Sequence, residues 1–316
     1  MLRLDVHHHL DDAQRASVHA LLEAVHRHTG TRPLNDQLWL DLVHGGRAGF
    51  TAILVLEANT PELVAYCQLS HDNDSWAIDL VVLPAADVST VGPSVLATTV
   101  GFIAGAGGGH VHWWVTDPDQ TIADIAVAGG FAEGRTLFQM RVPLPLPSNL
   151  ATVDVLTRPF EVGRDETAWL GVNNAAFAQH TEQGGWTVAT LRQREDEAWF
   201  DTGGFLIHER NGRMAAFCWT KLDTGTGPAL GEIYVIAVHP DFHGLGLGKA
   251  LTVAGLRSMT ERGARTGMLY VDRDNTAAVG LYEHLGFSVH RVDREFVADV
   301  EAAPTARPAL PEKTMS

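Results

Sequence analysis

The stretch Gly231-Glu232-Ile233-Tyr234-Val235-Ile236-Ala237-Val238-His239-Pro240-Asp241-Phe242-His243-Gly244-Leu245-Gly246-Leu247-Gly248-Lys249-Ala250-Leu251 decides the fold. β-Branched and aromatic residues from Ile233 to Val238 predict a strand, and Pro240, which cannot donate to a ladder, ends it. Gly244, Gly246 and Gly248 let the backbone turn sharply and approach a ligand. From Lys249 onward apolar residues recur at helical spacing (Leu251, Ala254, Gly255, Met259), so a helix leaves the loop. The first turn of that helix offers unpaired N–H groups and a positive dipole end, which suits a phosphate.

Two familiar phosphate binders fit poorly. A dinucleotide turn needs G-x-G-x-x-G directly after the strand and an acidic residue about twenty positions on. Here the glycines fall at every second position, and Glu261 lies inside the helix. A P-loop needs Gly-Lys followed by Ser or Thr, whereas Lys249 is followed by Ala250. His243-Gly244-Leu245-Gly246-Leu247-Gly248 instead resembles the pyrophosphate loop of the GCN5-related N-acetyltransferases, Gln/Arg-x-x-Gly-x-Gly/Ala after a Val-x-Pro strand end. Both glycines match, and His243 replaces the usual Gln or Arg. Asn275-Thr276-Ala277-Ala278-Val279-Gly280-Leu281-Tyr282-Glu283-His284-Leu285-Gly286-Phe287 resembles the family's closing motif, Asn-x-x-Ala-x-x-Leu-Tyr-x-x-x-Gly-Phe. Asn275 suits a helix N-cap and Gly286 the left-handed residue after the helix. The resemblance implies an α/β fold with a mixed sheet and acetyl-CoA as co-substrate. It also implies coenzyme contacts from Ile236, Ala237, Val238, the loop His243–Lys249 (His243, Gly244, Leu245, Gly246, Leu247, Gly248, Lys249) and Asn275, Thr276, Ala277, Ala278, Val279 and Gly280.

The bulk numbers bound the rest. The chain has 316 residues, too many for one acetyltransferase unit and enough for two domains. A formal net charge of −15 disfavours nucleic acid or an anionic membrane as partner and suits a small cationic amine. No apolar run of about 18 residues and no signal peptide is evident, so a cytoplasmic location is expected, with the chain a monomer. Cys67 and Cys218 lie in apolar strand-like runs and are expected to be free and buried. His7-His8-His9 has no second cluster near it in sequence and reads as a solvated start rather than a metal site, so no metal is expected.

Periodicity predicts helices over Asp11–His28, Pro33–Val43, Ser94–Ala104 and Thr121–Ala128, and strands over Thr51–Leu56, Leu63–Leu69, Trp76–Leu83, His110–Val115 and Phe131–Val142. Pro143-Leu144-Pro145-Leu146-Pro147-Ser148 then reads as a stiff linker. The second half repeats the order. Strand Val153–Pro159 precedes helices Asp165–Ala178 and Thr187–Arg194, then strands Gly204–Glu209, Met214–Leu222 and Leu230–Val238. The loop helix, strand Gly267–Val271, helix Asn275–Leu285 and strand Ser288–Val297 follow. Gly130-Phe131 and Gly286-Phe287 are 156 positions apart, as are Leu80-Val81-Val82 and Ile236-Ala237-Val238. Equal offsets at separated landmarks imply a duplicated unit. The expected domains are 1–142, a linker 143–151, 152–300 and a disordered tail 301–316.

The offset also shows what the first copy lacks. Glu232 maps to Trp76, Tyr282 to Ala126, and His243-Gly244-Leu245 to Asp87-Val88-Ser89, which sets a carboxylate where phosphates would sit. The first copy is expected to be catalytically silent, with Leu80, Val81 and Val82 at most a weak coenzyme contact.

Acetyl transfer from a thioester to an amine needs a proton acceptor, a polarised carbonyl, alignment and a donor to the departing thiolate. Alternation puts Glu232, Tyr234 and Ile236 on one strand face. Half-burial would raise the Glu232 pKa and suit it as general base; a salt-bridged edge carboxylate is the plainer alternative. By the resemblance, the strand splays near Ile236 so that backbone groups meet the coenzyme arm, and Tyr282 protonates the thiolate. The plainer alternative for Tyr282 is core packing.

The tandem layout resembles family members that acetylate the cysteinyl amine of a cysteine–glucosamine–inositol conjugate. Phe177 to Trp186, Arg32 to Asp36 and Met268 to Val271 carry that likeness. It implies substrate contacts from Asp36, Glu182, Lys221, Glu232 and Tyr270. Asp36 could equally cap a helix, Glu182 and Lys221 could be surface charges, and Tyr270 could fill the sheet face. Two other readings stay open: a tandem acetyltransferase for another amine, such as an aminoglycoside, polyamine or peptide N-terminus, and a non-catalytic acyl-CoA sensor.

Overall fold

The structure is a computed structural model that describes residues 2–30, 33–43, 49–58, 62–72, 75–150, 154–178, 183–223 and 229–304. In chain order the elements are β1 (Leu2–His7), α1 (Asp12–Thr29), α2 (Asp36–Val43), β2 (Thr51–Glu57), β3 (Leu63–Asp72), β4 (Ser75–Val82), α3 (Val88–Gly105), β5 (Gly109–Thr116), α4 (Gln120–Ala128) and β6 (Ala132–Pro143). They continue as β7 (Arg158–Pro159), α5 (Glu166–Ala176), α6 (Val188–Glu195), β8 (Phe205–Arg210), β9 (Arg213–Asp223), β10 (Leu230–Val238), α7 (Leu247–Glu261), β11 (Thr266–Asp272), α8 (Thr276–His284) and β12 (Ser288–Val300).

The chain divides into two compact units, Met1–Thr136 with Asp293–Ser316, and Leu137–Val292. This division falls at neither end of the proline-rich stretch. The reason is strand exchange: Leu137–Pro143 of β6 pairs antiparallel with β11, while Asp293–Val300 of β12 pairs antiparallel with β5. Each half therefore completes the sheet of the other unit with its final strand. Of the expected tail, 305–316 lies outside the described residues, and Ala303 N–H donates to the Ala104 carbonyl at 2.8 Å.

In the first unit β1, β2, β3 and β4 pair antiparallel in succession, and β4 pairs β5 in parallel. The α3 face bearing Val91, Val95, Leu96 and Ile103 packs on one side with Ile53, Cys67, Ile78 and Trp113. Helices α1 and α2 cover the other side through Val18, Leu21, Leu38 and Leu42. Helix α3 has the length and composition of a membrane span, yet these four residues face the protein core. It begins at Val88, before Pro93, whereas periodicity alone starts the helix after that proline.

The second unit repeats the plan. β9 pairs antiparallel with β8 and β10, β10 pairs in parallel with β11, and β7 is a two-residue edge strand on β8. Helix α7 packs through Leu251, Leu256 and Met259 against Cys218 and Ile233 on one face. The other face carries an aromatic cluster of Phe160, Trp169, Phe205, Phe217 and Trp219 beneath α5 and α6. Both cysteines are free and buried.

Candidate functional site

The site of the second unit is built by two irregularities in β10. The first is a bulge: Ile233 pairs with Thr220 but Val235 pairs with Trp219, so Tyr234 is the extra residue. A bulge reverses the face parity downstream. Upstream, Gly231 and Ile233 face α7; a Cβ on Gly231 would meet the Met259 sulfur at 2.5 Å. Downstream, Val235 and Ala237 join the aromatic cluster, while Ile236 and Val238 pack towards α7. Glu232 and Tyr234 thus share the aromatic side, and Ile236 does not. Simple alternation placed all three together and fails here because the bulge adds one residue.

The second irregularity is a splay. The parallel ladder between β10 and β11 runs from Leu230↔Thr266 to Ile233↔Leu269 and stops, although β10 continues to Val238. The β11-facing edge of 234–238 has therefore left the ladder just past Glu232. From Val235 on, that edge is open to a ligand, since a strand edge presents N–H and C=O groups in a row, save the Val238 carbonyl, which the His243 side chain occupies.

The loop after β10 follows the glycine pattern. Gly244 and Gly246 adopt left-handed backbone (φ 76° and 74°), which a side-chain-bearing residue would occupy only under strain. Gly246 is the N-cap of α7 and supplies no side-chain cap. The first helical N–H groups, at Leu247, Gly248 and Lys249, thus face outward at the positive end of a fifteen-residue helix. A Cβ on Gly248 would meet only a Leu281 methyl at 4.0 Å. His243 bonds through Nε2 to the Val238 carbonyl at 3.0 Å, so it ties the loop back to the strand end.

Asn275 caps α8 by accepting the Ala278 N–H at 3.2 Å, and Gly286 is left-handed after it (φ 90°). Asn275, Thr276 and Ala277 are exposed at the helix start, with Ala278 and Val279 half-buried over the core and Gly280 exposed. Tyr282 is buried against Phe287, ring centroids 5.7 Å apart. Burial, and next the Cys218 thiol, push its phenol up to about 12, so it stays protonated across the neutral range.

On the sheet face opposite α7, one ladder row reads Lys221, Glu232, Met268, Arg141 across four strands. The Lys221 ammonium lies over the Trp199 ring at 4.6 Å and the Tyr234 ring at 5.5 Å. Tyr270, on the same face and 39% exposed, pairs with Gln139. Of the remaining expected substrate contacts, Asp36 is the first residue of α2, its side chain outside the described residues, and Glu182 lies wholly outside them. Sequence reasoning missed Gln139, Arg141, Arg291 and Trp199. None belongs to a motif: strand register brings Gln139 and Arg141 to this face, Arg291 reaches it through the Tyr270 hydroxyl, and Trp199 lies under the Lys221 ammonium.

The first unit keeps the splay, its parallel ladder ending at Ile78↔Trp113, but β3 and β4 pair without a bulge. With one residue fewer, Ala77 and not Trp76 is the ladder counterpart of Glu232; Trp76 packs on the α3 side, as Gly231 does on the α7 side. Leu80, Val81 and Val82 lie beyond the end of that ladder. The loop is gone too. Helix α3 has eighteen residues and starts one turn earlier than α7 does, so Val88, Ser89 and Thr90 are helical where the second unit has Gly244, Leu245 and Gly246.

Fold, splayed strand and open glycine cap together define a GCN5-related N-acetyltransferase. The model of the acetyltransferase (GNAT) family matches residues 172–287. The chain is 42% identical to the mycothiol acetyltransferase of Thermobispora bispora over 88% of this chain and 93% of the relative. It is 41% identical to that of Thermomonospora curvata, with 90% and 93% covered. The chain belongs to the mycothiol acetyltransferase family. Solved structures agree on the fold: a tandem GNAT protein from the clavulanic acid biosynthesis pathway has a TM-score of 0.69 at 17% identity, covering 96% of this chain and 100% of that one. A GCN5-related N-acetyltransferase from Sphaerobacter thermophilus has a TM-score of 0.68 at 18% identity, covering 96% and 98%.

Proposed function

We propose that the second unit transfers the acetyl group of acetyl-CoA to the cysteinyl amine of the cysteine–glucosamine–inositol conjugate, giving mycothiol. The observation that carries this reading is the placement of Glu232 at the mouth of the splay, on a unit whose helix start is left open at Gly246. The acceptor itself comes from the family, whose members are named for mycothiol.

The α7 N–H groups would hold the pyrophosphate, with Asn275 to Gly280 lining the coenzyme's other side. Backbone groups along the splayed segment Ile236, Ala237 and Val238 would meet the pantetheine arm, and an N–H there would polarise the thioester carbonyl. Glu232 would take the ammonium proton, directly or through water, and the freed amine would attack the carbonyl carbon. As the tetrahedral intermediate collapses, the C–S bond breaks and Tyr282 donates a hydrogen bond to the thiolate. A phenol near 12 is a weaker acid than a thiol near 8.5, a gap of about 5 kcal/mol, so Tyr282 stabilises the thiolate through its hydrogen bond. The proton that completes the thiol is the second amine proton, released as the amide forms. Lys221 and Tyr270 would contact the acceptor on the Glu232 face, and Asp36 and Glu182 are assigned to it by family likeness.

Wild-type enzyme should consume acetyl-CoA with the cysteinyl pseudodisaccharide at a kcat/KM at least 100-fold above that for aminoglycosides, polyamines or peptides. Equal rates for all amines would favour a general amine acetyltransferase, and binding of acetyl-CoA without turnover would favour a sensor.

A further inference from the structure

Beside the proposed base, three side chains with no assigned role fix the proton of a fourth. Gln139 Nε2 donates to the Tyr270 hydroxyl at 2.7 Å, and Arg291 Nη2 donates to the same oxygen at 2.7 Å. The orientation of the Gln139 amide is set by chemistry: Arg141 Nε donates to Gln139 Oε1 at 3.0 Å. A guanidinium nitrogen can only donate, so the amide oxygen must face Arg141 and the amide NH2 must face Tyr270. A phenol oxygen has two lone pairs and one proton. With two donors on the oxygen, Tyr270 can engage any further group only as a donor.

We infer that Gln139, Arg141 and Arg291 are positioning residues that hold Tyr270 as an obligate hydrogen-bond donor to an oxygen of the acceptor substrate's polyol part. This deepens the acceptor reading above and rests on it. Charge supports the same division of the face. Burial, and next the Arg291 guanidinium, hold Arg141 below its ordinary value, with Tyr270 opposing, which marks a crowded cationic corner. Such a corner repels an ammonium and favours electron-rich oxygen. Glu232 sits one strand over and two residues back along the ladder, about 8 Å away by strand spacing. An extended substrate would therefore set its amine at Glu232 and its hydroxyl-rich end at Tyr270.

The test is Gln139→Glu, which keeps size and the Arg141 contact but turns the donor towards Tyr270 into an acceptor that captures its proton. Steady-state kinetics should show the KM for the cysteinyl pseudodisaccharide raised about tenfold, as one lost hydrogen bond predicts. The kcat should stay within twofold, and the KM values for acetyl-CoA and for cysteine amide, which lacks the polyol, should not move. Tyr270→Phe should give the same split, and adding Gln139→Glu to it should change nothing further. Wild-type KM in Gln139→Glu, or effects that add to those of Tyr270→Phe, would overturn the assignment while leaving the acceptor reading intact. A wild type that turns over cysteine amide as well as the pseudodisaccharide would overturn the acceptor reading, and this assignment with it.

Discussion

Asp87 closes the start of α3 by accepting the Ser89 backbone N–H at 2.9 Å and the Ser89 hydroxyl at 2.7 Å. The Thr90 hydroxyl adds a third donor at 3.0 Å. The first unit thus fills with its own carboxylate the place that Gly246 leaves open at α7. Duplication preserved the layers of the fold, and the backbone of the two copies differs at the site by one turn of helix and one bulged residue, with Ala77 and Ala126 in the places of Glu232 and Tyr282.

Replacing Asp87 with Ala should lower the thermal midpoint, because a capping carboxylate is lost, and leave turnover within twofold. The hydrogen bonds lower the Asp87 pKa below 3.8, so its contribution is present above that pH and lost as pH falls through the folded value. The difference in melting between wild type and variant should accordingly shrink below about pH 3.8. Thermal melts over pH 3–7 check both statements.

Glu232→Gln should cut kcat by about 100-fold or more near neutral pH, the usual worth of a positioned base. Affinity for acetyl-CoA should be unchanged, since Glu232 faces away from α7 and its loop. Retained turnover would remove Glu232 as proton acceptor.

Tyr282→Phe should lower kcat by about 100-fold, the cost of one donor to developing negative charge. With the phenol at about 12, the ratio of wild-type to variant rates should be flat from pH 6 to 10. A ratio that falls across that range would mean Tyr282 ionises there and is not the donor.

Much of this site was legible in the sequence and some was not, for physical reasons. Glycines in left-handed backbone, an Asn cap and a proline stop are local devices, so Gly246, Asn275 and Gly286 could be read residue by residue. The bulge at Tyr234 left no local mark, because Ile233-Tyr234-Val235 suits a strand on either face. Face and repeat alignment were therefore one residue out upstream of it, which moved the counterpart of Glu232 from Ala77 to Trp76. The strand exchange was hidden for a different reason: β6 and β12 have the same pattern whichever unit they pair with, and pairing is a long-range choice.

Asp79 offers a test of the first unit on its own. It is buried on β4 and accepts the Asn35 N–H at 3.1 Å; burial pushes its carboxyl up to about 7, partly offset by that bond and reinforced by Asp293. A folded pKa above the unfolded value means the native state binds more protons, so stability falls as pH rises from about 4 to about 7. Asp79→Asn keeps an acceptor for Asn35 and removes the charge. It should stabilise the protein by about 4 kcal/mol at pH 8, with the gain vanishing towards pH 4. Denaturant melts at the two pH values decide it.

Calorimetric titration with acetyl-CoA tests the central claim, that the second unit holds the acyl-thioester cradle and the first has lost it. Wild type should show one tight site per chain, and Gly246→Val, which strains the left-handed cap, should abolish it. Two equal sites, or a single site that survives in Gly246→Val, would contradict the account.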